Sequence, residues 1–346
     1  MLQTASNRSS RKSSPIVAAP WRDRAEALGL YRKLLLVRRA EEKIREEYGK
    51  DEMKTPVHLG IGQEAIPVGV CHVLPPASKT FGTYRNHALY LAVTQDTDRF
   101  FGELYGKVTG AGKGKAGSMH LAAPEHGLLA TSAVVASTIP LAVGAALAAQ
   151  YRGAQDVVAS FFGDGAVEEG VFWESLNFAC LRRLRILLVC EDNGLAIHAP
   201  ASQRQGFRSI PEAVQGFQCH VASGDGSDLL EVMALTRHVM ARMAEDPKPG
   251  VLHLTYCRFL EHVGPREDFD AGYRPRPNDA ALAQRDPVGR FESALAGLGW
   301  TSQELAEVRR SVDEQIARSV QAAREAPFAP PAELLTDVFS ETPGGA

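Results

Sequence analysis

Asp164 and Asn193 each follow a short apolar segment, at positions suited to ligand binding. Asp164 is the central residue of GDG at 163–165, after VVASFF, and Asn193 lies in DNG after ILLVCE, 29 residues further along. One strand–helix–strand unit fits that separation and brings two neighbouring strand ends together. A carboxylate and an amide oxygen are hard ligands for Mg²⁺, and diphosphate oxygens can fill the other positions. The spacing predicts a Mg²⁺–diphosphate site, against the simpler alternative that Asp164 caps a helix and Asn193 occupies a turn.

Two other glycine motifs do not predict ligand sites. Gly112, Gly114 and Gly117 match the G-x-G-x-x-G of dinucleotide-binding proteins, but residues 99–108 before them have a helical pattern where that fingerprint needs a strand. We instead expect a mobile loop, rich in glycine and lysine, that approaches an anion or another chain. A second GDG, at 224–226, precedes a helix-capping Ser-Asp pair and is predicted to be a turn.

The segments around these motifs alternate between short apolar runs and longer amphipathic runs. Strands are predicted at 157–162, 186–190 and 251–256, and helices at 22–48, 168–181 and 228–244. This alternation is typical of an α/β fold with a mostly parallel sheet and helices on both faces. Ligands of such folds bind at the carboxyl ends of the strands, where the sequence places Asp164 and Asn193.

The composition excludes several classes of protein. The 346 residues have a formal net charge of −3, so there is no basic excess to bind nucleic acid. The apolar stretches are shorter than the ~20 residues of a membrane helix, so no membrane span is expected. The five cysteines include no C-x-x-C pair. They therefore predict neither a disulfide framework nor a cysteine metal site, and a reducing compartment is expected.

Three regions are expected along the chain. Residues 1–20 contain three basic residues, five serines and no acid, which predicts a flexible tail or, alternatively, a mitochondrial transit peptide. The expected location is the bacterial cytoplasm, or the mitochondrial matrix if the tail is a targeting segment. Residues 21–278 are expected to form the domain that carries the site, and residues 279–346 a helical segment with a frayed end.

Six ordered motifs carry a family resemblance. GDGAVEEGVFWESLNFA followed by ILLVCEDNGLAI resembles the thiamine-diphosphate signature. HLGIGQEA at 58–65, YRNH at 84–87, GKAGSMH at 114–120, IPLAVG at 139–144 and RFLEHVGPRE at 258–267 resemble segments of one family that uses this cofactor. It is the alpha subunit of the decarboxylating first component of 2-oxo acid dehydrogenase complexes, of the pyruvate, branched-chain or acetoin type. The resemblance extends over residues 25–275 and implies a thiamine-diphosphate-binding fold over 21–278.

The resemblance implies roles for individual residues. Asp164, Asn193 and the main-chain carbonyl of Leu195 would bind Mg²⁺. Four residues would contact the diphosphate, namely Tyr84, Arg85 and, through backbone N–H groups, Gly165 and Ala166. Main-chain groups of Ala133 and Val135 would meet the aminopyrimidine, and the Val135 side chain would bend the cofactor. His58 and His262 correspond to two active-site histidines, His262 also contacting the cofactor; a histidine ordinarily titrates near neutrality and can hold or move a proton.

The implied activity is thiamine-dependent oxidative decarboxylation of a 2-oxo acid and transfer of the acyl group to a lipoyl-bearing second component. In this family a separate beta subunit supplies the glutamate that activates the cofactor, within an α₂β₂ heterotetramer, so the chain is expected to be inactive alone. Three residues depart from the family pattern. Leu195 replaces a tyrosine, Ala116 replaces a loop glycine, and Val263 replaces the serine phosphorylated in regulated animal enzymes.

Three alternatives remain open on the sequence. The chain also fits an acetoin dehydrogenase or a biosynthetic relative that transfers acyl units. GDGAVEEGVFWES resembles the cofactor-binding half of a split transketolase as well, although HLGIGQEA and YRNH oppose that interpretation. A non-catalytic subunit would predict loss of ligand residues, yet Asp164, Asn193 and Arg85 are all present.

Overall fold

The computed structural model describes residues 21–337. The flexible tail expected over 1–20 lies outside these residues, as does the part of the expected C-terminal segment that follows residue 337. None of the helices within 21–337 is both long enough and apolar enough to cross a membrane.

A six-stranded parallel sheet forms the centre of the fold. In chain order the strands are β1 (Lys79–Thr83), β2 (Leu128–Ser132), β3 (Val158–Gly163), β4 (Ile186–Asp192), the short pair β5 (Leu195–Ala196) and β6 (Ala199–Pro200), β7 (His220–Asp225) and β8 (Gly250–Thr255). The main sheet has the order β2-β1-β3-β4-β8-β7, while β5 and β6 form a separate antiparallel hairpin.

Eleven helices surround the sheet in the described part of the chain. They are α1 (Arg24–Tyr48), α2 (Ala65–Val73), α3 (His87–Thr94), α4 (Thr97–Leu104), α5 (Thr138–Tyr151), α6 (Gly170–Arg182), α7 (Ile210–Val214), α8 (Leu229–Glu245), α9 (Asp279–Ala283), α10 (Pro287–Gly297) and α11 (Ser302–Glu325). Helix α1 begins where the Asp23 side chain accepts from the Glu26 N–H, as expected for an N-cap.

The alternation of side chains along β3 divides the core into two layers. Ala159 and Phe161 pack into a cluster with α1, α2, α3, α8 and α11 on one face of the sheet. Val158 and Phe162 pack into a second cluster with α5, α6 and α7 on the other face. Both faces of β3 are therefore buried, which explains its continuous apolar sequence and confirms the predicted α/β class.

The C-terminal helices share the first of these clusters. Leu305, Val312, Ile316 and Val320 of α11 are buried with the apolar face of α1. The division at residue 278 stays a prediction, since the helices after it complete the same core as the helices before it.

Several predicted elements differ from the structure at their ends or in number. The expected strands correspond to β3, β4 and β8, whereas β1, β2 and β7 were not predicted. β7 ends within the second GDG, which was expected to be only a turn; the cap that follows it is present, because Asp228 Oδ1 accepts from the backbone N–H of Leu230 at 2.9 Å. The helix expected over 99–108 is α4, which ends at Leu104.

Candidate functional site

Strand register brings the predicted ligand residues to one edge of the sheet. Gly163 of β3 pairs with Glu191 of β4, so Asp164 and Asn193 follow neighbouring strand ends. Asp192 pairs with Thr255 of β8, which places Tyr256 beside Asn193. β1 lies on the other side of β3 and leads into Tyr84 and Arg85.

A cavity of about 230 Å³ lies at these strand ends. Its wall includes most of the predicted site residues: Tyr84, Arg85, Val135, Asp164, Gly165, Ala166, Asn193, Leu195 and His262. Ala133 is half-buried in the segment that joins β2 to α5, two residues before Val135. His58 lies behind Tyr84, with 4.5 Å between the two ring centroids.

Asp164 is almost fully buried, with 1% of its surface exposed. Its Oδ2 accepts from Arg204 Nη2 at 2.5 Å, while its Oδ1 has no hydrogen-bond partner within residues 21–337. Burial, reinforced by the nearby Asp192 carboxylate, raises the pKa of Asp164 above its ordinary value, although Arg204 opposes the rise. The carboxylate therefore has one oxygen that a cation would satisfy.

Asn193 also has one side-chain oxygen without a hydrogen-bond partner among the described residues. Its Nδ2 donates to the Tyr256 hydroxyl at 3.2 Å, and its Oδ1 is buried without a hydrogen-bond partner in the described chain. Buried polar atoms are ordinarily paired, so two orphaned oxygens at adjacent strand ends indicate a missing partner. A divalent cation fits the chemistry of these donors, because both are hard oxygen ligands.

The backbone next to Asp164 packs closely against the β5–β6 hairpin. A Cβ at Gly165 would lie 2.9 Å from the Cβ of Ala196, so a side chain there would collide with the β5–β6 hairpin. Leu195, which begins this hairpin, is half-buried in the cavity wall. The aromatic ring that the family pattern has at 195 is replaced by an aliphatic side chain facing the same cavity.

Arg85 connects the two predicted histidine segments. Its Nη1 donates to the carbonyl of Leu59 at 2.5 Å, and its Nη2 donates to the carbonyl of His262 at 3.0 Å. The ring centroids of His58 and His262 are 5.2 Å apart. Arg85 thus brings the two imidazoles together, although 204 residues separate them in sequence.

Both imidazoles are neutral in the folded chain at pH 7. Burial and the Arg85 guanidinium lower the pKa of His58 to about 3 and that of His262 to about 4. This differs from the expectation that they titrate near neutrality. Each ring can still donate one hydrogen bond and accept another, because a neutral imidazole carries one N–H and one bare nitrogen.

Sequence reasoning missed several residues of the site. Gln63 Nε2 donates to the Arg85 carbonyl at 3.3 Å and to Glu191 Oε1 at 3.4 Å. Burial raises the pKa of Glu191 to about 8, against the opposing charge of Arg85. Gln63 lies in the motif HLGIGQEA and Glu191 in ILLVCEDNGLAI, so the motifs of the sequence analysis contain both residues without indicating their role. Arg204 had no motif to indicate it.

A row of buried polar side chains connects the segments that carry His58 and Arg85 to helix α1. The Ser118 hydroxyl and His87 Nε2 are 2.7 Å apart, and His87 Nδ1 lies 3.2 Å from Glu41 Oε1. The same Glu41 oxygen accepts from the Gly60 N–H at 2.8 Å. The order Ser–His–Glu is that of a hydrolase triad, but all three are buried, so a substrate cannot reach the hydroxyl. The row instead ties residues 58–60 and 84–87 to α1.

The glycine-rich loop encloses an anion of its own chain. The backbone N–H groups of Gly112 and Gly114 donate to Glu103 Oε2, and those of Ala116 and Gly117 donate to Oε1, all at 2.7–2.9 Å. The loop approaches an anion as expected, but that anion is a buried carboxylate and the loop is fastened rather than mobile. The backbone N–H groups of the G-x-G-x-x-G segment already donate to Glu103, so they are not free to bind the phosphates of a dinucleotide.

Clusters of classical metal-binding side chains are not part of this site. Among residues 21–337, no group of three or more His, Cys, Asp or Glu side chains is arranged to bind a metal ion. The predicted ligand set depends instead on one carboxylate, one amide and one carbonyl, which leaves positions for diphosphate oxygens.

Comparisons with known proteins cover nearly the whole chain. The family model described as "Dehydrogenase E1 component" matches residues 32–332. The alpha subunit of acetoin:2,6-dichlorophenolindophenol oxidoreductase from Cupriavidus necator is 33% identical over 95% of this chain and 98% of that protein. The corresponding Bacillus subtilis subunit is 31% identical over 91% of this chain and 93% of its own length.

A pyruvate dehydrogenase subunit is similarly related. The pyruvate dehydrogenase E1 component subunit alpha of Zymomonas mobilis is 30% identical over 94% of this chain and 92% of that protein. The resemblance found in the six motifs is therefore confirmed over a longer range than the motifs themselves occupy. This chain belongs to the dehydrogenase E1 component family.

Proposed function

We propose that this chain is the alpha subunit of a 2-oxo acid dehydrogenase of the pyruvate or branched-chain type. It would catalyse, with thiamine diphosphate, the oxidative decarboxylation of a 2-oxo acid and pass the acyl group to a lipoyl-bearing second component. The observation that carries the proposal is the pair of orphaned oxygens, Asp164 Oδ1 and Asn193 Oδ1. They lie at adjacent strand ends of a chain whose family uses this cofactor.

The proposed metal ligands are Asp164, Asn193 and the carbonyl of Leu195, binding Mg²⁺ together with the diphosphate. Gly165 and Ala166, which both line the cavity next to Asp164, would donate backbone N–H groups to the diphosphate. Thiamine diphosphate, when bound, supplies the nucleophilic carbon and electron sink that break the bond between the keto carbon and the carboxylate.

Other residues in or near the cavity wall would orient the cofactor. We assign Tyr84 to the diphosphate, main-chain groups of Ala133 and Val135 to the aminopyrimidine, and the Val135 side chain to the bend of the cofactor. Arg85 supplies a permanent positive charge to the cavity wall. Because its two Nη atoms donate to the carbonyls of Leu59 and His262, it also fixes the histidine segments.

His58 and His262 would act as neutral hydrogen-bonding groups towards the substrate. Their lowered pKa values support donation from an N–H to a substrate oxygen rather than an imidazolium charge at neutral pH. Such donors stabilise negative charge that develops on the substrate oxygen in the transition state.

An apolar rim supports a beta subunit as the partner. Val134, Val135, Ile197 and Val263 are 44–67% exposed, and two of them line the cavity directly. Exposed apolar side chains concentrated around a site are typical of a protein interface. We propose that the beta subunit covers this rim within an α₂β₂ heterotetramer and supplies the activating glutamate. We assign the assembly to the bacterial cytoplasm, or to the mitochondrial matrix if residues 1–20 are a transit peptide.

Acetoin is the second candidate substrate. Both the Cupriavidus and the Bacillus relatives are named as acetoin oxidoreductase subunits. The match to the Cupriavidus subunit spans 98% of the length of that protein. In that reaction the bond next to the carbonyl would break with loss of acetaldehyde instead of carbon dioxide. By contrast, the family match over residues 32–332 favours neither a split transketolase nor a non-catalytic subunit.

Turnover by the reconstituted complex tests the proposal. The chain is co-expressed with its neighbouring beta subunit and supplied with Mg²⁺ and thiamine diphosphate. Pyruvate, branched-chain 2-oxo acids and acetoin are then compared with an artificial electron acceptor, using an Asp164→Ala complex as the blank. Turnover of a 2-oxo acid is the expected result. Turnover of acetoin alone would establish the second candidate, and inactivity towards all of them with cofactor bound would refute both.

A further inference from the structure

Arg204 is held on three sides beside the proposed metal site. Its Nη2 donates to Asp164 Oδ2 at 2.5 Å, its Nη1 pairs with the Glu168 carboxylate, and its Nε donates to the Ala199 carbonyl at 2.9 Å. Only 9% of the side chain is exposed. The planar guanidinium therefore has a single orientation, set by two carboxylates and one backbone oxygen.

This contact makes the two oxygens of Asp164 different from each other. The carboxylate could otherwise rotate and offer either oxygen, because its terminal torsion is broad. With Oδ2 bound to Arg204, Oδ1 is the oxygen that has no partner among the described residues. Glu168 balances the second half of the guanidinium charge, so Arg204 does not bring an uncompensated cation to the site.

Arg204 also connects the metal ligand to the hairpin that carries the third proposed ligand. Ala199, whose carbonyl accepts from Arg204, belongs to β6, and β6 pairs with β5 through Leu195 and Pro200. One side chain thus fixes the position of the Asp164 carboxylate relative to the Leu195 backbone.

We propose that Arg204 is a positioning residue that fixes the Asp164 carboxylate so that Oδ1 is presented to the divalent cation of the diphosphate site. The inference rests on the proposed function, because it assumes that Asp164 binds this cation. Arg204 acts through Asp164 and has no assigned contact with the cofactor. Loss of an outer partner of a metal ligand typically weakens metal affinity by about 10- to 100-fold.

Cation binding by Arg204→Gln tests the proposal without measuring turnover. The full chain, in complex with its beta subunit, is titrated with Mn²⁺ at saturating thiamine diphosphate, and free Mn²⁺ is followed by electron paramagnetic resonance. The expected result is a Kd for Mn²⁺ that rises about 10- to 100-fold. The Kd for thiamine diphosphate, measured at saturating Mn²⁺, should remain within about threefold of the wild-type value, because excess cation compensates for a weakened cation site.

Arg204→Lys is the conservative variant. Lysine keeps the charge but is a point donor that cannot bridge Asp164, Glu168 and Ala199 together, so an intermediate loss of Mn²⁺ affinity is expected. If Arg204→Gln fails to fold, as judged by circular dichroism, the lysine variant decides, and an unchanged Mn²⁺ affinity there would overturn the inference.

Arg208→Gln is the matched control. Arg208 lies four residues further along the same segment, is mostly exposed and pairs with Glu212, so its removal should leave both affinities unchanged. Unchanged or tighter Mn²⁺ binding by Arg204→Gln would overturn the positioning role. The role would also be overturned if Arg204→Gln weakened the affinity for thiamine diphosphate, measured at saturating Mn²⁺, as much as the affinity for Mn²⁺. Arg204 would then contribute to the structure of the segment around it rather than to the position of Asp164. Unchanged Mn²⁺ binding by Asp164→Ala would instead refute the metal site of the proposed function.

Discussion

Asp164 combines deep burial with incomplete hydrogen bonding. A buried carboxylate is unfavourable unless charges or donors satisfy its oxygens. Arg204 satisfies Oδ2, whereas Oδ1 stays without a partner in the part of the chain that the structure describes. A bound cation would supply the missing interaction, so the residue is better explained by ligand binding than by its contribution to the fold.

Replacing the Asp164 carboxylate distinguishes a role in ligand binding from a role in the stability of the fold. We expect Asp164→Ala to lose Mg²⁺-dependent binding of thiamine diphosphate while keeping the native far-UV circular dichroism spectrum, as measured by isothermal titration calorimetry. Asp225→Ala is the matched control, because Asp225 occupies the same position in the second GDG but pairs with Arg290. Cofactor affinity that survives in Asp164→Ala would remove Asp164 from the site.

The histidine pair illustrates how burial changes an ordinary residue. Burial, reinforced by the permanent charge of the nearby Arg85, lowers the pKa of His58 to about 3 and that of His262 to about 4. A protein normally keeps such groups neutral where a charge would be unfavourable. In the folded chain these imidazoles therefore serve as hydrogen-bonding groups across the neutral pH range.

The lowered pKa of His58 predicts a pH dependence of stability. Below its ordinary value of 6.5 the unfolded chain binds a proton at this residue, while the folded chain does so only near pH 3. The free energy of unfolding therefore falls as the pH drops from 6.5 towards 3, with a contribution of up to ~1.4 kcal/mol per pH unit from this group. Urea unfolding of the full-length chain should show a smaller fall for His58→Gln.

The control for this measurement is His126→Gln. His126 is exposed, so its substitution should leave the pH dependence as in the wild type. Equal slopes for His58→Gln and the wild type between pH 4 and 6.5 would contradict a buried neutral His58.

At the scale of elements, the glycine-rich loop is organised by the end of helix α4. Glu103, one residue before the end of this helix, accepts four backbone N–H groups from residues 112–117. The loop then leads to Ser118, whose carbonyl accepts from Asn86 Nδ2 at 3.1 Å, next to Tyr84 and Arg85. The glycines permit the wrapping, and the carboxylate holds the loop against the site.

Glu103→Gln should release this loop. The amide keeps one acceptor oxygen but turns an N–H₂ group towards two N–H donors, and each buried donor left unsatisfied costs roughly 1–3 kcal/mol. We expect a lower melting temperature and faster tryptic cleavage after Lys113 and Lys115, which lie in the loop. Glu125→Gln, which removes an exposed ion pair with Arg99, should change neither property appreciably. Wild-type cleavage rates in Glu103→Gln would show that the loop does not depend on this carboxylate.

At the scale of the whole molecule, the cavity is built by one chain but bordered by exposed apolar residues. Val134 is 67% exposed and Ile197 is 56% exposed. Ile197 also has a φ of 57°, an unfavourable backbone conformation for a β-branched residue. Strain and exposed apolar surface together at the mouth of a cavity are consistent with the proposed beta subunit covering it.

Substituting an exposed apolar residue at the mouth of the cavity should therefore weaken association with the beta subunit. We expect Val134→Asp to weaken co-purification with the beta subunit and to shift the complex towards free chains in sedimentation velocity, because a carboxylate would be desolvated at the interface. Leu298→Asp, at a similarly exposed position after α10, should leave assembly unchanged. An intact heterotetramer with Val134→Asp would place the interface elsewhere.

Sequence alone predicted the fold class and named most of the residues that line the cavity. Continuous apolar strands are recognisable because they are buried on both faces, as β3 and β4 are. The GDG and DNG motifs indicated the paired strand ends because chain separation limits which ends can be neighbours. The short or weakly apolar strands β1, β2 and β7 escaped prediction, since their pairing with central strands, rather than their own pattern, stabilises them.

Tertiary structure decided the electrostatics and the long-range contacts. Arg204 reaches Asp164 across 40 residues, and Arg85 joins His58 to the distant His262, neither of which local spacing can indicate. The pKa values of the histidines depend on burial and on that neighbouring charge, so the sequence predicted the residues but not their protonation state. Likewise, the anion of the glycine-rich loop could be identified only once Glu103 was placed inside it, because a loop's N–H groups bind whichever acceptor the fold brings near.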